Sequence, residues 1–540
     1  MIAASILAVS LSGMAVACQQ PGGVAAPQHA PRLRQLELAA LPTRPYRWSI
    51  RGPHDGAATL ATGDLDGDGH IDLFLGAGRP IPPRFLRNDG HGRSSEVLMA
   101  NTLGPGALHW QSELIDMDAD GDLDVVAANY ESAYGATVSL YLNDGGWRFR
   151  DVSGVPARGF IMPAAPTNNS DAVAVADFDG DGDPDIVASG SSRGRSFSSC
   201  YFFENDGATH FHYRASRFPA DQGARQATSG SLTAVDIDSD GDVDILGPAY
   251  APGSAYWIND GTGHFVDGAQ QRYDAASYPY GVFALSLGDV DGDGDLDMIG
   301  TRSVLGPPLL VLNDGRGYFA YATPTHLPPD SVGGTAIEFL DLDSDGDLDV
   351  VSSIPPLPWN FFGRHEVLLN DGSGHFTRDL SRRILAESPN GRVYDFDGAD
   401  FDHDGDIDLV ESSQTSEPNP PRSLPYHLNT TRHVYTSIEP SLGTSLPVRV
   451  CGPSGSTTWL AIGLASVLTP MPGVGRLGLD PASMAIWPNS LRTGESREVE
   501  FRVDIPNLPQ IVGSSLYFQG ILVEVPARLT LTNTWEVTIR

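Results

Sequence analysis

"DLDGDGHIDL", residues 64–73, places four Asp within nine positions, and the chain repeats it six times. The later copies are "DMDADGDLDV" from Asp116, "DFDGDGDPDI" from Asp177, "DIDSDGDVDI" from Asp236, "DVDGDGDLDM" from Asp289, "DLDSDGDLDV" from Asp341 and "DFDHDGDIDL" from Asp400. Half of the chain's 68 acidic residues lie in these seven stretches. No Lys or Arg sits among them to offset the repulsion, so a bound cation is expected in each. Position 1 is Asp64, Asp116, Asp177, Asp236, Asp289, Asp341 and Asp400; position 3 is Asp66, Asp118, Asp179, Asp238, Asp291, Asp343 and Asp402. Position 5 is Asp68, Asp120, Asp181, Asp240, Asp293, Asp345 and Asp404; position 9 is Asp72, Asp124, Asp185, Asp244, Asp297, Asp349 and Asp408. A Gly at position 6 of every copy, Gly69 to Gly405, permits a tight turn in which positions 1, 3 and 5 converge and position 9 closes a cage. Position 7 adds a backbone carbonyl, from His70, Asp122, Asp183, Asp242, Asp295, Asp347 and Asp406. Hard, all-oxygen ligation by five or more donors suits Ca²⁺, up to seven ions in all; Zn²⁺ would want His or Cys at the ligand positions.

The motif starts lie 52 to 61 residues apart. A period of that size, built of short alternating patterns, marks a propeller or a related array. Position 2 is apolar in every copy, and positions 8 and 10 flank the position-9 Asp with apolar residues, so each loop runs into a strand. Between 23 and 29 residues after each start comes "NDG", at Asn88, Asn143, Asn205, Asn259, Asn313 and Asn370, reduced to "NTT" at Asn429. Asn-Asp-Gly tolerates positive φ and marks a hairpin. Each unit therefore reads as four strands. The expected fold is all-β: a seven-bladed β-propeller over residues 45–433 and a small C-terminal β-sandwich over 434–540. In the tail, Val499, Phe501, Val503 and Ile505 share one strand face, as do Trp535, Val537 and Ile539. Either "RWSI" near Trp48 or "RHVYTS" near Tyr435 can supply the strand that closes the ring.

On their "DxDxDGxxD" core the loops resemble the FG-GAP/VCBS repeats of bacterial secreted proteins and are similar to the calcium loops of integrin α-subunit propellers. The resemblance implies ligation by the side chains at positions 1, 3, 5 and 9 and the carbonyl at position 7, with no carboxylate missing in any copy. The "FG…GAP" framing survives only in fragments, so an integrin role does not follow. An EF-hand would need Glu at position 12 and flanking helices. Six copies have Leu75, Ala127, Ala188, Gly247, Gly300 and Ser352 there; Glu411 matches in the seventh, but strand patterns flank it.

Residues 1–17 read as an export signal, and 18–44 as a flexible tether. "AVAC" fits either a cleavage site or a lipidation site at Cys18, so the protein is expected to be exported, freely secreted or held at the cell surface by a lipid. Cys200 and Cys451 can form one disulfide or remain buried thiols. The net charge of −34 disfavours nucleic acid. No catalytic residue is assigned: "GSSRG" around Ser192 lacks the strand-to-helix turn of a nucleophile elbow, and His210, His264 and His375 sit beside hairpins. Two functions follow. One is a monomeric, non-catalytic scaffold with a protein or glycan partner on a propeller face, where Arg193, Arg195 and Arg225 stand out in long connections. The alternative is a secreted, lyase-like carbohydrate-active enzyme, which would need Arg, His or Tyr side chains converging on the centre.

Overall fold

The computed structural model describes residues 34–35, 59–76, 83–90, 94–97, 108–130, 138–152, 170, 172–191, 198–207, 210–219, 231–247, 255–268, 272, 282, 284–301, 306–343, 345–354, 364–379, 392–402, 407–414, 426–428, 434–435, 440–451, 456–471, 475–487, 489–492, 498–524 and 528–539. The export signal, Cys18, Trp48, Ser192, Arg193, Arg195, Arg225, Asp404, Gly405, Asp406 and Asn429 lie outside these residues.

Alternation of apolar and small residues on both sides of each acidic loop builds strands, and the chain is all-β. Leu60–Gly63 leads into the first loop, Asp72–Leu75 leaves it, and Arg84–Asn88 and Ser94–Glu96 complete a four-stranded antiparallel sheet in chain order. The same order recurs from Leu108–Ile115, Ala172–Ala176, Thr233–Val235, Leu285–Gly288 and Ile337–Leu340. A seventh sheet holds Arg392–Ala399, Asp408–Gln414 and Tyr426–Leu428, and takes its fourth strand from Arg34–Gln35. This corrects two expectations. Arg34–Gln35 belongs to a strand inside the stretch read as a tether, and "RHVYTS" does not close the ring, because Val434–Tyr435 pairs with Arg449 and Val450 of the tail; "RWSI" lies outside the described residues. A two-residue strand carries too little pattern to be read from sequence.

The apolar cores lie between sheets. Val126 and Leu140 of the second sheet pack with Val173, Ile186 and Phe203 of the third. Leu73, Leu75 and Leu86 of the first pack with Phe401 and Val410 of the seventh. Repeated four-stranded sheets sharing cores with their neighbours are the build of a β-propeller. The position-2 residue plugs the seam ahead: Leu65 lies with Val125 and Tyr141 of the second sheet, and Phe401 with Leu60 and Leu73 of the first. All seven position-2 side chains are buried, a gain of about 1.5–3 kcal/mol for each large one.

In the tail, a sheet of Val434–Tyr435, Ser445–Cys451 and Glu498–Asp504 shares a core with a sheet built on Thr457–Gly463 and Ser515–Glu524. Phe501, Val503 and Ile505 face it as their period predicts, opposite Leu460, Phe518 and Leu522. Cys200 and Cys451 are both buried and are not joined in a disulfide, which leaves the alternative of buried thiols.

Candidate metal centre

The position-1 carboxylate organises each loop. Asp64 accepts from the N–H groups of Gly67 and Gly69; Asp116 accepts from Asp120 and Gly121, Asp177 from Gly180, Asp181 and Gly182, and Asp289 from Gly292 and Gly294. The turn these bonds close requires left-handed backbone, and the position-6 glycines supply it, with φ from 86° at Gly69 to 102° at Gly346. Position 4 is left-handed as well. Gly67, Gly180 and Gly292 adopt it easily, whereas Ala119 (φ 57°) and Ser239 (φ 59°) carry a Cβ into it.

Oxygens of positions 1, 3 and 9 come within 4.8 Å of one another in Asp64/Asp66/Asp72, Asp116/Asp118/Asp124, Asp177/Asp179/Asp185, Asp236/Asp238/Asp244 and Asp289/Asp291/Asp297. Positions 1, 3 and 9 thus form the tight group, and position 5 lies beside position 3 in the fifth and sixth loops, where Asp293 neighbours Asp291 and Asp345 neighbours Asp343. Position 5 faces solvent at Asp68, Asp120, Asp181, Asp240, Asp293 and Asp345. Its Oδ1 accepts the position-7 N–H two residues on, as from His70 to Asp68 at 2.9 Å and from Asp122 to Asp120 at 3.0 Å. In the sixth loop Asp341 caps the turn through Asp345 and Gly346, with Asp343 beside it. In the seventh, Asp400 and Asp402 lie beside Phe401, whose N–H binds Asp408 at 3.0 Å.

The donor set fits a hard cation on two counts. The triad is all oxygen. In addition, Oδ1 of Asp118, Asp179, Asp238 and Asp291, all at position 3, is buried and accepts no hydrogen bond. A buried acceptor without a partner carries a desolvation cost of about 1–3 kcal/mol, more when charged, which a cation would offset. The second oxygen of position 3 is taken elsewhere: Trp147 Nε1 donates to Asp66 Oδ2 at 2.7 Å, Arg217 to Asp179 Oδ2 at 2.9 Å and Arg272 to Asp238 Oδ2 at 2.6 Å.

Position 9 is fully buried, and in the first six loops both its oxygens accept backbone N–H groups. In the first loop Leu65 donates to Asp72 Oδ2 at 3.0 Å and Asn88 to Oδ1 at 2.8 Å. Burial outweighs those bonds and, with the neighbouring Asp66 and Asp68, pushes Asp72 up to about 7. Asp124, Asp244 and Asp297 are likewise pushed to about 7 and Asp185 and Asp349 to about 8, each by burial first. A divalent charge at the triad would reverse that direction.

Two roles were hidden from the sequence. Position-7 side chains sit over the hairpin glycine: a Cβ on Gly145 would meet Asp122 Oδ2 at 2.8 Å, and one on Gly207 or Gly315 would meet Asp183 or Asp295 at 2.5 Å. That side chain, along with positive φ, is why the hairpin ends in Gly. The Asn before it is buried and bonds two successive loops, which only its tertiary position reveals. Glu411, the EF-hand-like position, is buried and hydrogen-bonded to His365 Nε2 at 2.6 Å.

A second carboxylate group lies where the first strands of the sheets meet. Asp395 accepts from Leu60 N–H at 3.2 Å, Asp397 from Thr62 Oγ1 at 2.8 Å, Glu113 from Gln111 Nε2 at 2.7 Å and Glu338 from Ser286 Oγ at 3.2 Å. Burial, with repulsion from neighbouring acids, pushes Asp395 up to about 8 and Glu113 to about 7 and holds Glu338 well above the usual range, and burial alone pushes Asp397 to about 6. The described first strands thus gather acids where they meet; His109, Arg392 and Tyr394 lie on the same strands.

The family model described as FG-GAP-like repeat matches residues 64–127, 116–188 and 289–352. Each match starts at position 1 of one loop and ends at position 12 of the next, so its unit straddles two sheets. No curated protein matches the chain. Among solved structures, the native conformation of E. coli alpha-2-macroglobulin is similar at 11% identity with a TM-score of 0.16, over 89% of this chain and 35% of that one. A likeness at that score carries no inference about fold or activity. Among the described residues no helix is long and apolar enough to cross a membrane.

Proposed function

We propose that this chain, an FG-GAP repeat protein, is a calcium-loaded, seven-bladed β-propeller that serves outside the cell as a non-catalytic scaffold for a protein or glycan partner. The observation that carries the reading is the buried, unbonded Oδ1 of position 3, repeated at Asp118, Asp179, Asp238 and Asp291 beside two further carboxylates. The side chains at positions 1, 3 and 9 would hold the ion, with position 5 and the position-7 carbonyl completing an oxygen shell. Bound calcium would supply charge neutralisation, fixing the loop and relieving the repulsion among its acids. The Asp residues of each loop would orient the ion, and position 9 would do so through the two N–H groups that fix its plane.

Extracellular calcium modules bind at about 10⁻⁴–10⁻³ M, which suits an exported, possession-of-calcium-dependent scaffold whose charge of −34 would otherwise strain the fold. The partner would be recognised by the connections between strands, as on other rigid scaffolds. Elemental analysis after dialysis into calcium tests the ion, with about one per loop expected. A glycan array and a polysaccharide-degradation screen, each with and without chelator, test the role. Calcium-dependent capture without product supports a scaffold; product formation overturns it in favour of the carbohydrate-active enzyme.

A further inference from the structure

The buried Asn that opens each hairpin grips two successive loops at once. Asn143 donates its backbone N–H to Oδ1 of Asp124, position 9 of the second loop, at 2.6 Å; its Nδ2 donates to the carbonyl of Leu65, position 2 of the first loop, at 2.9 Å. The pattern recurs. Asn259 joins Asp244 to Phe178, Asn313 joins Asp297 to Ile237, and Asn370 joins Asp349 to Val290, all at 2.7–2.9 Å. Asn205 joins Asp185 to Met117 with a longer second bond of 3.5 Å. Asn88 joins Asp72 to Phe401, across the seam where the seventh sheet meets the first.

The links are continuous. The position-2 residue whose carbonyl takes the Asn also donates its own N–H to position 9 of its loop, in all seven copies: Leu65 to Asp72, Met117 to Asp124, Phe178 to Asp185, Ile237 to Asp244, Val290 to Asp297, Leu342 to Asp349 and Phe401 to Asp408. A chain of hydrogen bonds therefore runs from Asn to position 9, to position 2 and to the next sheet's Asn, crossing the six seams whose Asn is described. It passes through one candidate ligand per loop, and position 2 lies between two more, at positions 1 and 3.

We propose that this belt couples the cation sites of neighbouring blades, so that filling one loop raises the affinity of the next, with the hairpin Asn as the positioning residue. The proposal rests on the calcium reading above. An ion that fixes positions 1 and 3 of one loop fixes the carbonyl between them. That carbonyl holds the Asn, and the Asn N–H sets the plane of the position-9 carboxylate in the following loop. The second site then has less ordering left to do, which is a coupling free energy and is reciprocal.

Trp147 supplies a local probe, because its indole N–H bonds Asp66 of the first loop, and terbium bound there would be excited through it. In the full chain, the part of the terbium emission lost in Trp147→Phe reports that loop. Asp118→Asn removes a candidate ligand from the second loop without touching the belt. The expected result is a rise of about fivefold or more in the terbium concentration at half-signal for the first loop, the lower end of ordinary allosteric coupling. Asp291→Asn, in a loop not adjacent to the first, leaves that midpoint within about twofold. Asn143→Ala, or Asn143→Asp where the alanine variant does not fold, removes the effect of Asp118→Asn. Terbium binding with no midpoint shift in Asp118→Asn overturns the coupling alone. Absence of any calcium or terbium binding, by calorimetry on the unaltered chain, overturns the calcium reading and the coupling with it.

Discussion

The loops and the meeting point of the first strands both crowd carboxylates, and they relieve the repulsion in different ways. In a loop such as 116–124 the acids alternate around a turn made by Gly121, and one oxygen of Asp118 is left buried and unbonded. Among the first strands, Glu113, Glu338, Asp395 and Asp397 each have a neutral donor, and burial shifts them toward the protonated form. The first arrangement could hold a cation, and the second is shifted toward holding protons. Residue type alone does not separate them; the geometry of the donors does.

The largest expected effect breaks the comparison outright if it fails. At a free calcium concentration 100 times the dissociation constant, each occupied loop adds about 2.7 kcal/mol. Chelation should therefore lower the melting temperature by more than about 10 °C and open the sheets to protease. An unchanged melt with chelator would mean the loops are held without metal.

Next in size is the choice among ligands. Asp118→Asn should remove one bound ion from the stoichiometry measured by calorimetry, whereas Asp120→Asn, at the exposed position 5, should weaken a site and leave the count intact. Equal losses would return position 5 to the core of the cage.

The strand-side acids predict the opposite response to pH. Their folded values of about 6 to 8 lie above the ordinary carboxylate range near 4, so the stability they contribute is complete below about pH 4 and is lost as pH rises through 6 to 8. In saturating calcium, the unaltered chain should lose stability from pH 5.5 to 8.5, and Glu338→Gln with Asp395→Asn should recover about 2 kcal/mol at the upper end, partial exposure considered. A flat pH profile in denaturant melts of the unaltered chain would place a counter-charge beside these acids. The smallest effect concerns backbone alone: Ala119→Gly or Ser239→Gly, at left-handed positions, should each stabilise by about 1 kcal/mol in the same melts.

The sequence was read correctly wherever one residue's neighbours in the chain set its role. Gly121 must turn because Asp116 and Asp120 crowd it, Val125 must enter a core because Leu123 and Val125 alternate with Asp124, and "NDG" must be a hairpin. Which carboxylates of a loop lie closest together was not legible: positions 1, 3 and 9 form the tightest group, and position 5 accepts a bond across the turn.

From the amino-acid order came the all-β class, the repeat, its glycine-dependent turns and the acids able to hold a metal, because each depends on contacts within about ten residues. Tertiary structure alone decided that Arg34–Gln35 completes the last sheet, that Asn88 reaches Phe401 over 313 residues, and that Glu113 and Asp395 share one acidic centre. Those contacts join segments far apart in the chain, and a local pattern carries no record of which distant partner the closed arrangement of sheets will bring beside it.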